Sequence, residues 1–247
     1  MRALLVLIFC LFGVAVAATA PVVLDIGHQS TASGAATPDG SLNEYEFWCT
    51  YAGEVKSAIE EAGYPCVVLN RGMAPTKKPI LAACRAAGVV QLNKPDKGAK
   101  RYPSTHYPEH IGCGMVSADH AIDLGARCVV FLHLNSTGHK WQSKPVAGLI
   151  ICNRKFGSPL AESVCSAMRR ELPSLSKGIK VLPRYIGSQP SAGWMNALDA
   201  AGIPAIVFEA FYVNNRTHVD FLRADANARK LARTIAAGVV DWLSRSE

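Results

Sequence analysis

Three apolar strings in the sequence end in side chains that can bind a metal or transfer a proton. VVLDIGH, CVVFLH and AIVFE end in His28, His133 and Glu209, respectively. Short, β-branched apolar strings of this kind are typical of strands buried on both faces of a parallel sheet. The carboxyl ends of parallel strands meet at one edge of the sheet, where ligands bind. The sequence therefore predicts two imidazoles and a carboxylate at one site.

A third ligand is needed if this site holds catalytic zinc, which commonly has three nitrogen or oxygen ligands and a water molecule. Glu44 is the candidate, because it lies at the start of the helix predicted after the first strand. Two alternatives remain open. Ser41 and Glu44 have the spacing of a capping box, in which the Glu44 side chain would only accept a backbone hydrogen bond. Glu46 lies two residues further on, on a different face of the helix, and competes as the ligand.

The elements that would position these residues alternate along the chain. Strand-like strings occupy 21–26, 64–70, 127–133, 146–152 and 203–209. Apolar residues at intervals of three or four predict helices between them: these cover 48–62, 160–172 and 231–242, and a further helix ends within 120–126. The alternation predicts an α/β fold, a three-layer sandwich in which helices flank a mostly parallel, twisted sheet.

The first 18 residues have the pattern of a secretory signal peptide, with Arg2 before an apolar run and small residues after it. The run is shorter than the ~20 residues that a membrane span needs, so cleavage after Ala17 or Ala18 is expected and stable membrane insertion is not. Residues 21–247 are expected to form a single domain. The net charge of +7 in a chain exported to the periplasm or the medium suits a polyanionic partner such as a cell wall or an outer leaflet, with a merely solubilising surface as the open alternative. Export and the lack of a basic run disfavour nucleic acid.

Segment 89–113 interrupts the alternation with prolines, lysines and aromatic residues. Because it is too long for an ordinary connection, we expect either a functional loop or an insertion at the rim of a site. Cys84 and Cys113 flank it and are expected to form a disulfide in an oxidising compartment.

The remaining histidines are not expected to bind zinc. Pro108, for example, argues against a helical turn that would bring His106 and His110 together. His139 lies near the predicted site and is a candidate contact for substrate, whereas His120 and His218 are expected at the surface or at helix caps.

The strings LDIGHQ, DGSLNEYEF, FLHLNS and IPAIVFEAFYVNN, in this order, resemble the zinc-dependent N-acetylmuramoyl-L-alanine amidases with a type 3 catalytic domain. The resemblance runs from about Val22 to Trp242. It implies that His28, Glu44 and His133 hold one zinc ion and that Glu209 is the catalytic acid and base. Asn135 matches the asparagine after the second histidine and is expected, like His139, to line the substrate site. The string MVSADHAIDLGA departs from the family pattern.

The resemblance also implies the reaction, hydrolysis of the amide bond between N-acetylmuramic acid and L-alanine in the stem peptide of peptidoglycan. Peptidoglycan or muropeptides would be the substrate, with a regulator of unknown identity. Two alternatives stay open: a zinc peptidase that cuts within the stem peptide, and an inactive peptidoglycan-binding module on the same fold. Asp25, in the first strand, is expected to contact a histidine that binds the metal. Gly27 is expected to permit a sharp turn after the strand.

Overall fold

The computed structural model describes residues 20–30, 32–72, 74–92, 105–110, 114–142, 144, 146–183 and 192–247. Strands and helices alternate through this part of the chain. The strands are β1 (Val22–Ile26), β2 (Cys66–Asn70), β3 (Val90–Gln91), β4 (Cys128–Leu132), β5 (Leu149–Cys152), β6 (Lys180–Leu182) and β7 (Ala205–Glu209). The helices are α1 (Glu44–Glu61), α2 (Lys78–Ala86), α3 (Met115–Asp123), α4 (Ser158–Glu171), α5 (Pro173–Ser176), α6 (Ala192–Ala200), α7 (Arg216–Arg223) and α8 (Asp225–Leu243).

The seven described strands form one sheet in the order β3-β2-β1-β4-β7-β5-β6. All neighbouring pairs are parallel except β5 and β7, which run antiparallel. Strands β1, β4 and β7 are therefore adjacent and point the same way at the centre of the sheet. The residues that follow these three strands consequently reach the same edge, as the sequence predicts.

Helices cover both faces of the sheet, so the predicted three-layer α/β sandwich is confirmed. The side chains of β1 alternate between the faces: Val22, Leu24 and Ile26 join the core formed with α1, α4 and α8. Val23 joins the second core, which α3 and α6 cover on the opposite face. All four side chains are fully buried, which explains why β1 reads as an almost unbroken apolar string.

The predicted elements form, with shifts of a few residues at their ends. Helix α1 begins at Glu44 and its chain turns at Gly63, whose φ is +90°. The observed strands are shorter than the apolar strings by one or more residues at their ends. Strands β3 and β6 were not expected: they are only two and three residues long and pair at the edges of the sheet.

The cysteine prediction is wrong at Cys84. This residue has a free, buried thiol on α2, and its Sγ donates to the Cys49 carbonyl of α1 at 3.6 Å. The thiol therefore faces the α1–α2 contact and forms no disulfide. Cys113, the expected partner, lies outside the described residues.

The expected insertion at 89–113 is described only in part. Its first residues form β3, and residues 105–110 lie against α3. The Thr105 amide donates to Asp119 at 2.9 Å, and a ring nitrogen of His106 lies 2.8 Å from Asp123. The predicted signal peptide lies outside the described residues. Among the helices that are described, none combines the length and apolar character needed to cross a bilayer.

Candidate metal centre and active site

His28, Glu44 and His133 come together at the carboxyl edge of the sheet. Each offers one ligand atom, and the three atoms lie within 4.8 Å of one another. Glu44 lies between the histidines: its Oε2 is 3.1 Å from His28 Nε2, and its Oε1 is 2.7 Å from His133 Nδ1. The two rings are nearly perpendicular, with centroids 5.0 Å apart. Side chains from the ends of β1 and β4 and the start of α1 thus converge on one point.

The Glu44 carboxylate is fixed by backbone as well as by histidine. It is buried in the first turn of α1, where Oε2 accepts from the Ala35 amide at 2.8 Å and Oε1 from the Leu134 amide at 2.9 Å. These bonds tie it to the chain before α1 and to the chain after β4. The capping box between Ser41 and Glu44 is therefore wrong. Asn43 caps the helix instead, with its side chain accepting from the Glu46 amide at 2.9 Å.

The carboxylate form of Glu44 is strongly favoured despite burial. Desolvation alone would raise its pKa, but hydrogen bonds and positive charge from His133, and then from His28, outweigh that effect. The net result is a pKa of about 2. Glu44 is therefore ionised at any physiological pH, as a metal-binding carboxylate must be.

Glu46, the competing carboxylate, points away from the histidines. Its Oε2 pairs with Lys77 Nζ at 2.7 Å on the surface between α1 and the start of α2. Of the two glutamates that the sequence left open, only Glu44 joins the cluster.

Two glycines leave the space that the cluster occupies. A Cβ atom on Gly27 would lie 2.5 Å from His133 Cε1, and one on Gly34 would collide with Glu44 Oε2 and the His28 ring. The sharp turn expected at Gly27 is found one residue later. His28 itself adopts a φ of +70°, the left-handed region that non-glycine residues rarely adopt. Gly27 thus serves to admit the His133 ring.

Glu209 ends β7 beside the cluster. Asn135 Nδ2 donates to Glu209 Oε2 at 3.0 Å. Burial raises the pKa of the Glu209 carboxyl above its usual range, the positive charge of His133 opposes this rise, and the negative charge of Glu44 adds to it. A carboxyl group with a raised pKa next to a candidate metal-binding cluster is suited to accept and return a proton.

Asn214 and Asn215 hold the loop that follows Asn135, a role that the sequence did not reveal. The Asn214 side chain accepts from the Thr137 amide at 3.2 Å and donates to the Lys140 carbonyl at 3.1 Å. Asn215 donates to the Lys144 carbonyl at 3.0 Å. Both asparagine side chains are buried. In the sequence, the adjacent asparagines of the YVNN string were the only signal for this role.

The anchored loop forms one wall of a cavity of about 420 Å³. Ser136, Gly138 and His139 of this loop line the cavity together with residues 34–38. Gly34 lies against Glu44 and His28, so the cavity lies next to the candidate metal cluster. The structure thus places His139 next to the space that a substrate could enter.

Asp25 does not contact a ligand histidine, contrary to prediction. Its carboxylate accepts from Ser117 Oγ of α3 and pairs with Arg71 at 3.3 Å. All three side chains are buried. Because Asp25 points toward α3, the group stabilises the packing of β1, β2 and α3 behind the site.

The other predicted non-ligands lie apart from the cluster. His106 pairs with Asp123, and His110 lies 3.6 Å from Glu109. His120 is half-buried on α3. His218 was expected at the surface or at a helix cap; it is buried in the first turn of α7, and its Nδ1 accepts from the Tyr212 amide at 3.0 Å. Burial lowers the pKa of His218 to about 4.

The ligand set fits a zinc ion, because two imidazoles and one carboxylate are three of the nitrogen and oxygen ligands that catalytic zinc uses. His28 remains 34% exposed, so the cluster is open on one side, as a site that admits water and substrate must be. Taken together, the cluster and Glu209 can supply a Lewis acid and a proton acceptor to one substrate.

Comparison with known proteins agrees with this chemistry. Residues 22–241 match the model of the Amidase_3 family, described as N-acetylmuramoyl-L-alanine amidase. No curated protein sequence matched the chain.

Solved structures with the same fold include several amidases. The CwlD amidase from Clostridioides difficile, in complex with the GerS lipoprotein, is 18% identical with a TM-score of 0.62, and the match covers 91% of this chain and 98% of that one. The amidase AmiC2 of Nostoc punctiforme is 19% identical with a TM-score of 0.58 and coverages of 91% and 97%. The catalytic domain of CwlV from Bacillus (Paenibacillus) polymyxa var. colistinus is 18% identical, with a TM-score of 0.58 and coverages of 90% and 97%. By its match to the family model over nearly all of its length, the chain belongs to the family of N-acetylmuramoyl-L-alanine amidases.

Proposed function

We propose that the chain is a zinc-dependent enzyme that hydrolyses the amide bond between N-acetylmuramic acid and the L-alanine of the peptidoglycan stem peptide. The observation that carries the proposal is the cluster of His28, Glu44 and His133 beside Glu209 at the carboxyl edge of the sheet. Family membership supplies the reaction, and the ligand set supplies the choice of metal.

The residues of the site would have separate roles in the reaction. His28, Glu44 and His133 would hold one zinc ion, which when bound polarises a carbonyl and acidifies a water molecule. Glu209 accepts the proton of the attacking water and then passes it to the nitrogen of L-alanine as the amide breaks. Asn135 holds Oε2 of Glu209 and so orients the carboxylate for both transfers. Asn135 and His139 line the approach of the substrate.

Product analysis tests the reaction. Digestion of purified peptidoglycan should expose new L-alanine amino termini while the glycan chains stay intact. Release of D-alanine, or of fragments cut within the stem peptide, would instead identify a zinc peptidase. Binding to peptidoglycan without any product would identify an inactive binding module.

The location proposed for this activity is outside the cytoplasm, in the periplasm or the medium. It rests on the pattern of residues 1–18 and on the position of peptidoglycan itself. Residues 21–247 would then be the catalytic domain, with an insertion at 89–113. The mass of the exported protein should correspond to cleavage after Ala17 or Ala18, and retention of the full-length chain in the cytoplasm would contradict it.

A regulatory partner is also part of the proposal. One structural neighbour was solved in complex with a lipoprotein, and a protein that binds this chain could control access to its cleft. Co-purification of the exported chain from its own cells would identify such a partner.

A further inference from the structure

A second cavity, of about 500 Å³, lies at the same edge of the sheet as the metal cluster. Strand β5 runs antiparallel to β7, and Leu149 pairs with Glu209. The residues just before β5 therefore lie beside those that follow Glu209. The Tyr212 hydroxyl confirms this placement, since it donates to the Ala147 carbonyl, part of the cavity wall, at 3.2 Å.

One side of this cavity carries hydrogen-bond donors. His218 lines it and is only 6% exposed. Because Nδ1 of its ring accepts from the Tyr212 amide, the proton of the neutral ring is on Nε2. Nε2 has no hydrogen-bond partner among the described residues and is not sealed from solvent. The ring thus presents a buried, unused donor to the cavity.

Positive charge reinforces this donor. The exposed Lys177 lines the cavity, and so does Thr217, in the first turn of α7. The start of a helix carries partial positive charge from its unpaired amides. None of the described residues that line the cavity is acidic. An anionic group is therefore the complementary ligand.

The remaining wall limits what kind of anion fits. Val146, Ala147 and Leu175 are apolar and face the same space. A carboxylate on a short aliphatic stem would place its charge near Lys177 and His218 and its methylene groups against this wall. A fully hydrated phosphate would make no apolar contact with this wall.

We propose that this cavity binds a free carboxylate of the stem peptide while the amide bond is positioned at the metal cluster. Stem peptides carry such carboxylates on side chains and at the carboxyl terminus. The inference rests on the proposed amidase function and adds a determinant of substrate choice. Lys177 and His218 would be specificity-determining residues, remote from the atoms that react.

The experiment uses muramoyl pentapeptides in which each free carboxylate is converted in turn to a carboxamide. For the wild type, one of these changes should raise KM about tenfold, as expected for losing a hydrogen bond to a charged group. The variant Lys177→Gln should reduce that ratio to about twofold. Lys180→Gln, an exposed lysine on β6 that does not line the cavity, should keep the wild-type ratio.

Two results would overturn the assignment: no carboxamide changes KM by more than twofold, or Lys177→Gln keeps the full ratio. Binding of the free stem pentapeptide, measured by calorimetry, provides a readout that needs no turnover. It should weaken about tenfold in Lys177→Gln. Loss of turnover with intact peptide binding would therefore count against the amidase proposal and leave the cavity assignment supported. Inorganic phosphate that competes as strongly as the peptide would show a plain anion site and refute the carboxylate.

Discussion

Asn135 Nδ2 donates a hydrogen bond of 3.0 Å to Glu209 Oε2. This bond joins the chain after β4, which carries His133, to the end of β7. The backbone reinforces it, because the Asn135 amide donates to the Phe211 carbonyl at 2.7 Å and its carbonyl accepts from the Val213 amide at 2.9 Å. The orientation of Glu209 is thus set by the same segment that presents a candidate metal ligand.

Replacing Asn135 by alanine should lower kcat by roughly 10- to 100-fold, the range for losing a hydrogen bond to a charged group. The donor stabilises the ionised form of Glu209, so its removal raises the pKa of that carboxyl further. The acid limb of the pH–rate profile should therefore move to higher pH. Bound zinc should stay at the wild-type level. An unchanged profile would mean that the bond does not act on Glu209.

Glu209→Gln removes the proton acceptor but keeps the size of the side chain and a partner for Asn135. Turnover should fall by about 10²- to 10⁴-fold, the usual contribution of general acid–base catalysis. Metal content, measured by atomic emission, should equal that of the wild type. A variant with normal turnover would show that another group transfers the proton.

Glu44→Ala and Glu46→Ala form a matched pair for the third ligand. Glu44 lies between the two histidines, whereas Glu46 pairs with Lys77 on the surface. Glu44→Ala should weaken zinc binding by more than the roughly 10- to 100-fold that is typical of residues behind the ligands. Glu46→Ala should bind zinc like the wild type. Zinc affinity is measured by competition with a chelator. If only Glu46→Ala bound zinc more weakly than the wild type, Glu44 would be rejected as the third ligand.

Gly34→Ala and Gly40→Ala separate backbone strain from loss of space. Both glycines have a positive φ, +76° and +68°, so alanine is strained at either position. A Cβ on Gly40 meets nothing within 4 Å, whereas one on Gly34 collides with Glu44 and His28. Backbone strain should cost each variant about 1 kcal/mol of stability, but only Gly34→Ala should also lose zinc. Equal zinc content in the two variants would contradict this account of Gly34.

Because His218 is buried, we expect the free energy of unfolding to fall in mild acid. The folded protein keeps the ring unprotonated to about pH 4, whereas the ordinary pKa is 6.5. The unfolded state therefore binds the proton first, so the stabilisation is complete above pH 6.5 and declines as the pH falls toward 4. The loss should reach about 3 kcal/mol.

His218→Asn should flatten this dependence, because an asparagine oxygen can accept from the Tyr212 amide without titrating in this range. His120→Asn, on the half-buried surface of α3, serves as its control. Urea unfolding at several pH values measures the effect. A wild-type slope in the His218 variant would assign the acid sensitivity to another group.

The sequence alone determined the local parts of this structure. Almost unbroken apolar strings predicted β1, β4 and β7, because a strand buried on both faces is apolar at nearly every position. Intervals of three or four predicted α1, α4 and α8. The polar residues at the ends of three such strings indicated His28, His133 and Glu209, and parallel strands bring their carboxyl ends to one edge.

Tertiary structure decided what depends on strand order and side-chain direction. The order β1-β4-β7 makes the three strand ends adjacent, and the partner that a strand pairs with leaves no signal within its own sequence. Glu44 and Glu46 differ by two positions, and the fold turns one toward the histidines and the other toward Lys77. Asp25 faces α3 rather than a histidine, since neighbouring side chains of a strand point to opposite faces. Long-range packing, which the local pattern does not encode, thus selected the residues of the site.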